Sequence, residues 1–89
     1  MVTYAQATKS FRDSTLRFVL TELETANAFA DIALQSDDVH KTLRNRLSAR
    51  KAYDTALRFM RLLPDDDSGR IADKLDPLKS KLVELGVDL

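Results

Sequence analysis

The sequence predicts an all-α fold, an up-down-up antiparallel bundle of three helices with a long first helix. No glycine or proline precedes Pro64, and the chain has two of each in all, which favours helix over sheet. Apolar residues recur at intervals of three and four along most of the chain, as on one face of a helix. A chain of 89 residues holds one core at most, so we expect a single domain over residues 1–89.

The first helix is predicted over about residues 3–35. Thr3 and Gln6 fit a capping box, in which the hydroxyl binds the amide of the third residue and the glutamine reaches back to the cap. An apolar stripe follows and ends before the polar residues 35–38. Its members are Leu16, Val19, Leu20, Leu23, Ala26, Ala30, Ala33 and Leu34.

The second helix is predicted over about residues 38–63, with Ser36 or Asp37 as its N-cap. Pro64 ends it, because proline lacks an amide hydrogen and disfavours helix in the residue before it. Short connections make consecutive helices antiparallel neighbours. We expect small residues to bring the first two helices close together. These residues are Ala26, Ala30 and Ala33 on the first helix and Ala49, Ala52 and Ala56 on the second.

The third helix is predicted over about residues 68–85, where leucine and isoleucine alternate steps of four and three. Gly86 followed by Val87 suits a Schellman motif at its end. Asp76 and Pro77 form a good N-cap and N1 pair. We therefore expect the helix to kink at Pro77 or to restart there.

The chain has zero net charge, from 14 cations and 14 anions, so it has no global basic field that would attract nucleic acid or an anionic membrane. Residues 37–63 carry seven cations and three anions. Four of these cations lie on one side of the second helix, where they could contact nucleic-acid phosphates or could form a solvated or partner-pairing face. They are Lys41, Arg44, Lys51 and Arg58.

Three aromatic residues near the start of the chain, Tyr4, Phe11 and Phe18, are also seven residues apart. This stripe extends beyond the part of the first helix that the second can cover. We expect it to be buried by the third helix, by a second copy of the chain, or by a partner helix in a groove.

The residue types needed for catalysis or metal binding are missing or isolated. The chain has no cysteine and a single histidine, His40, so neither a thiolate site nor the paired ligands of a di-iron bundle can form. The run from Asp65 to Gly69 lacks the distal glutamate of a calcium loop and is better explained as a solvated turn with a helix N-cap. We predict no catalytic residues, no metal, no cofactor and no enzyme activity.

The order Ala49, Tyr53, Ala56, Leu57, followed by a proline, resembles the second helix of a tetratricopeptide repeat. The plan of an alanine-rich helix, an "AYDTAL" helix, an acidic turn and a leucine-seam helix is similar to the microtubule-interacting-and-transport domain, or to a small bacterial protein like it. This resemblance implies a groove between helices that receives a helix or extended segment of a partner, and no catalysis.

Two functional hypotheses follow. The first is a small helical module that binds a protein partner, or itself, through a groove flanked by Tyr4, Phe11 and Phe18. The alternative is a nucleic-acid accessory protein that uses the basic side of the second helix. Without cysteine, a long apolar run or the pattern of a signal peptide, the sequence predicts a cytoplasmic protein with no membrane contact.

Overall fold

The computed structural model describes residues 4–89, and side chains from residue 8 onward. The predicted all-α three-helix bundle is confirmed. Its helices are α1 (Tyr4–Gln35), α2 (Val39–Met60) and α3 (Ser68–Glu84), and a single 3-10 turn, Asp65–Asp67, precedes α3. The capping box at Thr3 lies outside the described residues.

The helices run up, down and up. The start of α2 follows the end of α1 after three residues, and Phe59 at the end of α2 contacts Phe18 in the middle of α1, so these two helices are antiparallel. Lys74 of α3 pairs with Glu24 of α1, and Lys81, further toward the end of α3, pairs with Asp31, further toward the end of α1. The third helix therefore runs parallel to the first. Both shorter helices pack on α1 and contact each other much less. The first helix is therefore the common support of the other two.

Alanines form the seam between α1 and α2, as the sequence predicts. All six are buried, and four of them have no exposed surface. Tyr53 is buried beside them, and larger side chains of α1 and α3 fill the rest of the core. The largest that are fully enclosed are Val19, Leu23, Leu78 and Leu82. Close packing of the small residues fixes the position of α2 on α1.

The ends of the helices follow local chemistry, with two differences from expectation. The N-cap of α2 is Asp38, one residue later than expected, and its carboxylate accepts hydrogen bonds from the amides of His40 and Lys41. The helix ends at Met60 and not at Leu63. The amides of Leu62 and Leu63 donate to carbonyls three residues back, which tightens the chain into turns before Pro64.

The end of α3 is a Schellman motif, as predicted. Gly86 has φ of +81°, its amide donates to the carbonyl of Val83, and the amide of Val87 donates to the carbonyl of Leu82. Val87 and Leu82 are both buried in the core, which supplies the apolar contact of this motif.

Of the two alternatives predicted at Pro77, the restart is wrong, because α3 continues through this residue, and the kink stays a prediction. Proline removes one hydrogen bond to the carbonyl four residues earlier, which belongs to Asp73. Asp73 and Pro77 are both exposed, so water can satisfy that carbonyl. The apolar face of α3 remains in register on both sides of the proline.

Candidate interaction face

An aromatic cleft lies where the end of α2 meets the first half of α1. It is lined by Phe11, Ser14, Thr15, Phe18 and Phe59 and has a volume of about 240 Å³. The rings of Phe18 and Phe59 meet edge to face, with centroids 5.0 Å apart, a favourable aromatic geometry. The hydroxyl of Thr15 is satisfied within α1, because it donates to the carbonyl of Phe11. The exposed lining is therefore mainly apolar.

Phe11 and Phe18 remain 59% and 41% exposed. The third helix does not cover them, because it packs on the opposite edge of α1 through Glu24, Asn27 and Asp31. The side chain of Tyr4 lies outside the described part of the chain, so its place in the predicted groove stays a prediction. Phe59, which packs against the core from α2, also forms the far wall of this cleft.

The edge of α1 that lines the cleft carries a row of side chains seven residues apart, which we call the heptad row. Its members are Phe11, Phe18, Thr25 and Ile32. Thr25 and Ile32 follow Phe18 at the same spacing of seven residues, and both are exposed. Ile32 is 41% exposed. Seven residues are close to two helical turns, so these side chains share one edge. The sequence contained this signal, since the interval between the two phenylalanines continues toward the end of α1.

The cations predicted on one side of α2 form a second row along the same groove, which we call the basic row. Its members are Lys41, Arg44, Lys51 and Arg58, and all four are exposed. By helical periodicity they lie on the same flank of α2 as Phe59, although Arg58 points furthest outward. The heptad row therefore lies on the α1 side of the α1–α2 groove, on the face opposite α3, and the basic row lies on the outer flank of α2 next to that groove.

The ion pairs of the bundle leave the basic row out. Those between elements join α1 to α3 or to the turn before it, through Lys74 with Glu24, Lys81 with Asp31 and Arg12 with Asp67. Within residues 8–89, no member of the basic row forms an ion pair. Ion pairing between the described elements therefore occurs on the α3 side and does not reach these cations.

The acidic turn holds a structural contact that the sequence did not reveal. Asp67 is buried and accepts two hydrogen bonds of 3.3 Å from the guanidinium of Arg12. Hydrogen bonding and the negative charge of Asp67 raise the pKa of Arg12. The expectation of a solvated turn is therefore wrong for Asp67, because its carboxylate ties the turn to α1 from 55 residues away.

Two other surface features offer fewer groups for binding a partner or a metal ion. A groove of about 360 Å³ lies between α2 and the chain after α3, lined by Leu43, Leu47 and Val87 with two arginines. His40 is exposed at the start of α2. In the described part of the chain, no three histidine, aspartate or glutamate side chains are grouped so that they could hold a metal ion.

Comparison with protein-family models, curated proteins and solved structures finds no match to this chain. The resemblance to tetratricopeptide and microtubule-interacting-and-transport domains therefore stays a prediction. Among the helices that the structure describes, none combines the length and the hydropathy that a membrane crossing requires.

Proposed function

We propose that this chain is a protein-interaction module without catalytic activity, and that it binds its partner on the face formed by α1 and α2. The observation that carries the proposal is the aromatic cleft, in which Phe11 and Phe18 remain exposed beside the ring of Phe59. Aromatic side chains grouped in a concave apolar site are the usual anchors of protein recognition. We place the module in the cytoplasm, in keeping with the lack of cysteine.

The resemblance described from the sequence suggests how such a partner would bind. Tetratricopeptide-like and microtubule-interacting-and-transport-like bundles imply a partner segment held in a groove between two helices. The cleft between α1 and α2 is such a groove. Tyr4 belongs to this proposed site by its spacing from Phe11.

Nucleic-acid binding is a second candidate, and the observation that favours it is the basic row. Four exposed cations without an ion pair in residues 8–89 could contact successive phosphates. The zero net charge of the chain and the apolar side chains beside the row favour a protein partner over a phosphate backbone.

Affinity capture from extract of the source cells tests the two candidates together. The bait is the intact protein, used at low and high salt, with and without nuclease. We expect a protein that is retained through both treatments and is lost with the double variant Phe11→Ser and Phe18→Ser. Val83→Ser is the matched control, because Val83 is 62% exposed but lies on α3. Material that is released by nuclease and by high salt, whatever the state of the cleft, would contradict the proposal and favour nucleic acid.

A further inference from the structure

The groove between α1 and α2 has two unlike borders. The heptad row provides apolar side chains on the α1 side, interrupted by Thr25, and the basic row provides cations on the α2 side. From Phe11 to Ile32 the heptad row extends about 32 Å at 1.5 Å per residue. Arg44, Lys51 and Arg58 are also seven residues apart. Both borders therefore repeat with the period at which two helices pack side by side.

A spacing of seven residues on an exposed helical edge matches another helix better than an extended strand. Side chains of an extended segment alternate every two residues, whereas a helix returns apolar side chains to one face every three or four. An incoming helix of about 20 residues would span the row from Phe11 to Ile32. Its apolar side chains would enter the aromatic cleft at one end and pack against Ile32 at the other.

The basic row determines the charge of such a helix. Cations beside an apolar seam select carboxylates on the flanking positions of the partner, as in coiled-coil pairing. The carboxylates of α1 that pair across the bundle, Glu24 and Asp31, are already bound to lysines of α3 on the other side. Glu22, one turn after Phe18, forms no ion pair with residues 8–89 and is a local exception to the basic character of this face.

A second copy of the chain fits this face poorly. A two-fold dimer is isologous, so it would bring two basic rows into one interface, where like charges oppose association. The apolar seam of α3, which could otherwise supply a helix to a second copy, is buried in its own bundle through Ile71, Leu75, Leu78 and Leu82.

From this charge and spacing we infer that the α1–α2 face binds an acidic amphipathic α-helix of another protein, which lies along the heptad row with its carboxylates toward the basic row. The inference rests on the proposed function, since it names the chemical class of the partner. The bound helix becomes the fourth helix of a bundle. Its affinity comes from the apolar contacts, and its orientation comes from the charges.

A displayed library of 21-residue helical peptides tests the inference without a known partner. Apolar positions of each peptide carry leucine, isoleucine, phenylalanine or alanine at heptad spacing, and the flanking positions vary among glutamate, lysine, glutamine and serine. Selection against the folded protein should enrich peptides that are acidic on the flank that faces α2. The best peptide is then synthesised and titrated against variants of the protein.

Three variants separate the roles of the two rows. Ile32→Ser and Phe18→Ser should weaken binding of the selected peptide about tenfold or more, because each removes an apolar contact. Lys51→Glu should weaken it less than either apolar change and, when used for selection, should enrich lysine on the same flank. Lys79→Glu, an exposed change on α3, is the matched control. Circular dichroism confirms that each variant is folded, and Ile32→Ser tests the row without disturbing the ring pair at Phe59.

The outcomes distinguish the inference from the function on which it rests. Enriched peptides with neutral or basic flanks, still sensitive to Phe18→Ser, would overturn the acidic helix and leave a protein-interaction module. Failure to enrich any helix would overturn the acidic helix, and the capture experiment then decides whether the protein-interaction module stands. Salt-sensitive binding of a DNA duplex that is abolished by Lys51→Glu and indifferent to Phe18→Ser would overturn both in favour of nucleic acid.

Discussion

Replacing Ala56 by leucine should overpack the seam between α1 and α2. Ala56 has no exposed surface and lies among buried side chains of both helices, so the three added carbons cannot turn toward solvent. Extra carbons in a well-packed interior cost about 1–3 kcal/mol, because neighbouring side chains and backbone must shift. The cost falls on the folded state, so the variant should unfold at a lower temperature than wild type.

The size of the shift follows from the length of the chain. Unfolding entropy near the melting temperature is about 2.1 cal/mol/K per residue, so each 1 kcal/mol lowers the Tm of an 89-residue domain by about 5 °C. We expect Ala56→Leu to lower the Tm by about 5–15 °C, measured by circular dichroism or calorimetry. Ala28→Leu, the same change on the exposed side of α1, is the control and should change the Tm little. A Tm of Ala56→Leu equal to that of Ala28→Leu would refute the close packing of this seam.

Three further predictions concern local chemistry. Burial raises the pKa of Tyr53, with a smaller contribution from the charge of Asp54. The folded state therefore favours the neutral phenol. Its contribution to the free energy of unfolding is full below the ordinary tyrosine pKa of about 10 and is lost as the pH rises above that value. Tyr53→Phe should lessen this alkaline loss in urea unfolding curves, and an unchanged alkaline slope would contradict the burial. Gly86→Ala should destabilise the fold by about 1–2 kcal/mol, because a φ of +81° strains a residue with a side chain. Gly69→Ala, whose added methyl group meets nothing within 4 Å, should stabilise α3 by about 0.5–1 kcal/mol. Equal effects of the two changes on the denaturation midpoint would refute this assignment. Pro77→Ala should stabilise α3 by up to about 3 kcal/mol, and a lower Tm would show that the proline is required by the fold.

The arrangement of the helices could be predicted from the sequence because its determinants are local and periodic. The lack of early glycine and proline, the alanines at intervals of three and four, and the pair Gly86 and Val87 each specify structure within a few residues. The continuity of α3 through Pro77 could not be predicted, because it depends on whether water can reach the carbonyl of Asp73, which only the position of α3 decides.

The candidate site was predictable in part. Spacing alone identified Phe11 and Phe18, and the same spacing leads to Ile32, but no local pattern indicates that Phe59 closes the cleft from another helix. The pairing of Arg12 with Asp67 joins residues that are distant in sequence, and aspartates in a turn usually face solvent. Contacts of this kind depend on how three elements meet, so composition and periodicity could not reveal them.

The unequal distribution of charge between the helices affects how neighbouring molecules interact in solution. Residues 37–63 have a net charge of plus four and residues 64–89 of minus three, so the neutral protein is an electric dipole directed between α2 and α3. At about 0.01 M ionic strength the screening length is about 30 Å, and near 0.15 M it is about 8 Å. Neighbouring molecules should therefore align and attract one another in dilute buffer, with the attraction lost at physiological salt. The second virial coefficient from light scattering should accordingly become more positive as salt is added.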